Sequence, residues 1–277
     1  MSALNPARPA GPVTLALHAE WTKVRTLPGM SWLLAATAAL TIMVGAAAAA
    51  AFNCAGPGSS CSPAATGADP AKISLTGLDL GQVLVAVLAV LVVGSEYGTG
   101  MIHVTFTAIP NRLIVLLAKA TVVTGLTLAA SLVGVLCSML AGRLLLPPRG
   151  MTAANGYTAL SLGNDTDLRA MFGSMLYLML IALLALGITA AVRDSGVAIG
   201  IVLGLLLLFP IVSSAIPDHA LARHIEQASP TIAGQYIEAT IGTNQLPLTP
   251  WQGLGVLALW ASAALLLGGL LLRLRDA

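Results

Sequence analysis

The chain has 277 residues, of which 57% are hydrophobic and only 9% charged, with a mean hydropathy of +0.90. Too little polar surface remains to cover a water-soluble globule of this size, so the composition is that of an integral membrane protein. A net charge of +2 and 4% aromatic residues give neither the charge nor the stacking surface for nucleic acid, which is not expected as a partner.

Residues 1–12 are rich in proline and glycine and read as a loose tail. Val13, Leu17, Trp21 and Val24 then recur on one side of a helix, His18, Thr22 and Arg25 on another, and Glu20 sits one turn before Lys23. This pattern predicts an amphipathic helix lying at the membrane interface, so that residues 1–31 form a tail and a surface helix. Residues 32–52 carry no charge; 21 residues at about 1.5 Å each reach about 31 Å, the thickness of a bilayer core. They form the first span. A cleaved signal peptide competes for this stretch, but the lead-in is too long and the apolar run outlasts a signal core. Cys54 and Cys61 follow in a loop rich in Gly, Pro and Ser, where they pair as a disulfide if the compartment is oxidising and stay free thiols otherwise.

The second span, 75–95, and the third, 113–141, flank a polar interruption at 94–112, GSEYGTGMIHVTFTAIPNR. Asp79 and Lys119 are the only charges in the apolar runs on either side of it. Within the interruption Ile102, Phe106 and Ile109 share one helical face, and Thr99, His103 and Thr107 another, which predicts a short surface helix. Alternation of Ile102, Val104, Phe106 and Ala108 with polar residues also fits a strand, although a lone strand leaves its backbone unpaired at the membrane. Cys137, inside the third span, reads as a small buried apolar residue.

A loop at 143–168 contains Pro147, Pro148 and the glycosylation-type triplet Asn164, Asp165 and Thr166, a weak signal. The fourth span, 170–192, and the fifth, 197–216, are joined by the charged knuckle Arg193 and Asp194, which predicts a tight antiparallel hairpin. Gly196, Gly200 and Gly204 recur every four residues and suggest a seam where a second backbone comes close. Residues 217–250 mix Asp218, His219, Arg223, His224, Glu226 and Glu238 with Ile225, Ile232, Ile237 and Ile241, so an ordered, partly helical segment packed against the membrane is expected. The sixth span, 251–272, ends at Arg273, Arg275 and Asp276. The fold class is therefore all-α, with residues 32–277 forming one domain of six transmembrane helices.

With the N-terminus in the cytoplasm, eight Lys and Arg fall inside and five outside, which satisfies the positive-inside bias. Both termini and the interruption are then cytoplasmic. The cysteine loop lies outside, where disulfides persist.

No GxxxxGK[ST], HExxH, CxxC or GxSxG occurs, so no motif for ATP hydrolysis, metal or acyl chemistry is visible. His219 and His224 stand five apart, wrong for one helix face, and no metal site is expected. The middles of the spans hold no ionisable residue of the kind a proton-driven carrier keeps at depth. A driving force from outside the chain follows, although a carrier coupled through backbone carbonyls stays open.

HAEWTKVRT before the first span, SEYGTGMIHVTFTAIPNR between the second and third with AKA after it, and the long segment between five and six together resemble the permease subunits of ATP-binding cassette exporters, the ABC-2 type family, in versions common in high-GC Gram-positive bacteria. The resemblance implies a multi-pass subunit of the cell membrane, paired with a second permease copy and docked on a separate ATPase that holds ATP and Mg. This chain itself then binds no cofactor and catalyses no reaction. In such exporters the segment after span two is a cytoplasmic coupling helix and the helix before span one a connecting helix. Carried over, Glu96, Tyr97, Thr99, Gly100, His103, Thr105 and Phe106 form the docking surface, with Glu20, Lys23 and Arg25 beside it. Spans two and five line the substrate path in relatives, which makes Leu84, Val87, Leu91, Ile201, Leu205 and Phe209 candidates, and the segment 217–250 an external gate.

The chain departs from many relatives in carrying His103 and Asn111 where they have Arg. On its residues alone, Glu96 also reads as a solvated carboxylate at a span end, and Trp21 and Trp32 as interfacial anchors. Two other classes remain beside the exporter: an ATPase-independent carrier or regulatory membrane subunit, and an intramembrane enzyme, for which the spans offer no nucleophile with a base. An amphiphilic or hydrophobic substrate is implied, with drug, antibiotic, lipid and peptide all open.

Overall fold

The computed structural model describes residues 11–26, 28–53, 66–98, 100–101, 107, 111–161 and 163–274. Among these there is no strand, and ten α-helices follow one another: α1 (Pro12–Thr26), α2 (Pro28–Ala51), α3 (Pro70–Leu75), α4 (Leu78–Gly98), α5 (Arg112–Leu145), α6 (Asp165–Val192), α7 (Ser195–Ala215), α8 (His219–Ala228), α9 (Pro230–Gln235) and α10 (Pro250–Leu274). Six of them, α2, α4, α5, α6, α7 and α10, are long and apolar enough to cross a bilayer.

Short polar side chains set the ends. Asp69 caps α3, accepting from the Ala71 and Lys72 amides with Pro70 in the first turn. Asn111 caps α5 and Asn164 caps α6 in the same way. The fourth span thus starts five residues before its apolar run, because Asn164, Asp165 and Asp167 favour a helix N-terminus while lowering its hydropathy. Asn164, part of the glycosylation-type triplet, serves here as a cap. The Arg193 and Asp194 knuckle turns the chain as expected: Arg193 ends α6 in the left-handed region, at φ 65°, and Asp194 accepts from the Val197 amide at 2.7 Å to start α7.

α6 is the central rod, packed by α4, α5, α7 and α10, with Tyr177, Leu178, Ile181 and Ala185 buried. α2 lies against α4 and α5 on one side, while α7 and α10 lie on the other and leave much of their apolar surface outward. Close approaches occur where glycine permits them. A Cβ added at Gly77 would stand 2.1 Å from the Thr41 carbonyl oxygen, and one added at Gly187 2.5 Å from the Ala264 carbonyl carbon. Among the described residues of this chain the stripe Gly196, Gly200 and Gly204 meets no second helix: nothing lies within 4 Å of a Cβ at Gly200, and Gly204 meets only the Leu208 side chain of its own helix. Cys137, expected inside, is exposed on the outer surface of the bundle, because a face turned to lipid is as apolar as one turned to protein.

The segment between α7 and α10 is partly helical. α8, α9 and a 3-10 turn at Tyr236–Glu238 fold back on α6 and α10, with Ile237 filling the space at Gly173 and Gly234 set against the Tyr177 ring. α1 keeps part of its apolar stripe outward. Ala16, Glu20 and Lys23 turn inward toward the bundle, while Val13 and Trp21 remain exposed and available to lipid.

Candidate functional site

Four charged side chains from three helices meet at one end of the bundle. Lys119, two turns into α5, places Nζ 3.1 Å from both carboxylate oxygens of Glu20 on α1 and 2.6 Å from Glu96 Oε1 in the last turn of α4. It also donates to the Val92 carbonyl at 3.4 Å. Lys23, one turn beyond Glu20, donates to Glu20 Oε1 at 2.9 Å and to Glu96 Oε1 at 2.6 Å. Lys119 is 2% exposed and Glu20 and Glu96 6% each. Two cations thus face two anions and the formal charge cancels, the condition under which ions tolerate burial. Burial alone would lower the Lys23 pKa, but the hydrogen bonds it donates to Glu96 and Glu20, together with their charges, outweigh it and raise it above the ordinary lysine value. One lone atom remains: Glu96 Oε2 is buried without a hydrogen-bond partner.

The same end is fastened by two guanidinium groups. Arg112, the first residue of α5, donates to the Leu272 carbonyl at 2.8 Å, and Arg193 donates to the Leu271 carbonyl at 3.3 Å. Both satisfy carbonyls at the C-terminus of α10, where the helix dipole favours positive charge. Gly94 on α4 lies against Ser195, so α4 ends against the start of α7. The geometry therefore joins α1, α4, α5, α7 and α10 at one surface.

Of the docking residues expected from the sequence, Glu20, Lys23 and Glu96 come together in this cluster. Glu96 is no solvated carboxylate. Glu20 and Glu96 are buried in the cluster, where they hold α1 and α4 against α5. Arg25 is exposed with its guanidinium 6.0 Å over the Trp21 ring, outside the cluster. Tyr97 is half-buried against the core, and Gly100 takes a left-handed φ of 71° just past α4, the conformation that ends a helix. Thr99, His103, Thr105 and Phe106, like Cys54 and Cys61, lie outside the described residues. Lys119 was missed as a site residue; the signal was its standing as the only charge in its apolar run.

The substrate-path candidates divide. Ile201 and Leu205 line a cleft with Leu184 and Ile188 of α6 and Trp260 and Ala264 of α10, about 420 Å³ in volume and almost wholly apolar. Phe209 is half-buried further along α7, and Leu84, Val87 and Leu91 are half-buried on α4, none of them lining that cleft. Packing of α4 against α7 does occur.

At the opposite end, Asp69 ties α3 to the segment after α9. It accepts from the Thr240 hydroxyl at 2.7 Å and the Ile241 amide at 2.9 Å, as well as from the Thr240 amide. Arg169 donates to the Ala239 carbonyl beside it. Between these anchors Glu238 is 4% exposed, and its Oε1 has no partner. Burial drives its carboxyl well above the usual range, with the Asp79 and Asp69 charges adding to the rise and Lys72 opposing it. The folded chain thus holds a proton here that the unfolded chain gives up above its ordinary value of 4.5. Stability from this group is full below that pH and is lost as pH climbs toward the folded pKa. Glu238→Gln is expected to raise the unfolding temperature in detergent, by a larger margin near pH 8 than near pH 5. Equal shifts at both pH values would show the carboxyl ionised in the folded state.

Among the described residues no group of His, Cys, Asp or Glu has the arrangement to hold a metal ion. No family model matches the chain, and no curated protein matches it.

Proposed function

We propose that this chain is the permease subunit of an ATP-driven exporter of the ABC-2 type, moving an amphiphilic or hydrophobic substrate across the cell membrane by alternating access. One observation carries the reading: α1, the end of α4 and the start of α5, the last two of which flank residues 99–111 in the chain, are locked together by one buried ion cluster. A force applied to that segment reaches all three as a unit. Such a linkage suits a machine whose engine is a separate subunit, and the chain has no phosphate-binding loop of its own. In this reading both termini and the ion cluster face the cytoplasm, ATP and Mg sit on the partner ATPase, and a second permease copy completes the pore. The cleft at Ile201 and Leu205 is the part of the substrate path that α7 contributes.

The test separates docking from transmission. Phe106→Asp with His103→Glu is expected to abolish co-purification with a P-loop ATPase encoded beside this chain. Lys119→Met with Glu96→Gln is expected to keep that co-purification and lose substrate-stimulated ATP hydrolysis. Transport by the purified chain without any ATPase would overturn the proposal and favour a self-sufficient carrier.

A further inference from the structure

Arg143 lies 24 residues beyond Lys119 on α5, about 36 Å along the helix, further than the ~30 Å hydrocarbon core. With the ion cluster at one bilayer surface, Arg143 reaches the headgroup level of the other. The side chain is exposed and has no hydrogen-bond or ion-pair partner among the described residues, whose four ion pairs all belong to the cluster at the far end. It stands at the mouth of a cleft of about 230 Å³ between α5 and α6. Leu136 and Leu140 share its helix face at seven and three residues' distance and form one wall; Leu160 and Met171 form the other. Ser161 lines the rim, and its amide is already spent on Asp167 Oδ2 at 3.0 Å. Asp167 is itself buried and occupied by that amide and by Asn164, so it does not neutralise Arg143.

We propose that this cleft binds one acyl chain of an anionic glycerophospholipid of the surrounding leaflet, with the lipid phosphate on the Arg143 guanidinium. The chemistry on the page selects that occupant. A free guanidinium at headgroup level offers a fork for a phosphate. Directly below it, the cleft runs about 10 Å into the hydrocarbon along Leu140 and Leu136, the direction an acyl chain takes from its headgroup. Leu136 and Leu140 of the lining are themselves exposed on the outer surface of the bundle, so entry is from lipid and not from water. The inference is independent of what drives transport.

The test uses the full chain in phosphatidylcholine nanodiscs with a trace of phosphatidylglycerol carrying a photoreactive acyl chain, followed by peptide mapping of the adducts. Adducts are expected to concentrate on residues 136–140 and around Met171. Unlabelled phosphatidylglycerol is expected to compete roughly tenfold better than added phosphatidylcholine, because the choline cation of the latter offsets the phosphate charge that Arg143 would meet. Arg143→Gln is expected to lower the labelling by a similar factor, Arg143→Lys to retain most of it, and Leu140→Trp, which fills the cleft from an exposed position, to block it with the cation intact. Equal competition by both lipids, labelling untouched by Arg143→Gln, or adducts spread evenly over the exposed residues of α7 would each overturn the assignment. Displacement of the label by inorganic phosphate alone would reassign Arg143 to a soluble anion.

Discussion

Lys119→Met is expected to destabilise the folded chain by about 3–5 kcal/mol, the cost of leaving buried charge without its partner. The substitution keeps most of the side-chain length and removes the cation, so two carboxylates, each 6% exposed, are left facing one another. Lys23 cannot serve both in full: it already donates to Glu20 and Glu96, and with a side chain 29% exposed it draws part of its solvation from water. The readout is thermal unfolding in detergent, followed by intrinsic fluorescence. Adding Glu96→Gln to Lys119→Met restores neutrality, with Lys23 left against Glu20, and most of the lost stability is expected to return. A double variant no more stable than the single one would mean that packing around the lysine stem, and not charge, holds this end of the bundle.

Gly187→Ala and Gly200→Ala are the same chemical change on adjoining helices and are expected to have opposite signs. In a helix interior, replacing Gly by Ala ordinarily stabilises by about 0.5–1 kcal/mol. At Gly200 nothing lies within 4 Å of the new methyl, so that gain is expected in full. At Gly187 the methyl would sit 2.5 Å from the Ala264 carbonyl carbon and 2.6 Å from the Leu265 nitrogen, both backbone atoms of α10. From the other side, a methyl at Gly268 would meet the Gly187 carbonyl oxygen at 2.6 Å. Neither contact is relieved by turning a side chain; α10 has to move away from α6, the rod on which the bundle is assembled. The expected loss is at or above the upper end of the ~1–3 kcal/mol typical of overpacking. A stable Gly187→Ala would show that α6 and α10 slide readily, and would make their junction a candidate hinge.

The number of bilayer-length helices, the knuckle at Arg193 and Asp194, and the partly helical segment before α10 were legible in the sequence. Length, apolarity and capping residues are local properties, and each of these features follows from them. Glu20 and Lys23 were also legible as neighbours, being one turn apart. Their meeting with Glu96 and Lys119 was not, because Glu20 and Lys119 are 99 residues apart and no local pattern encodes which helices adjoin.

The larger illegibility concerns faces. In water, an apolar stripe marks the side of a helix that is buried. In a bilayer, lipid and protein neighbours are equally apolar, so periodicity stops reporting burial. Cys137 was therefore expected inside and lies outside, and Gly200 was expected at a seam and meets no other helix of this chain. The sequence by itself determined that this chain is a set of membrane-length helices with few charges to spend. Only the tertiary structure decided that four of those charges are gathered in one buried cluster, since pairing ions across α1, α4 and α5 requires the helices to be packed before any of them is near its partner.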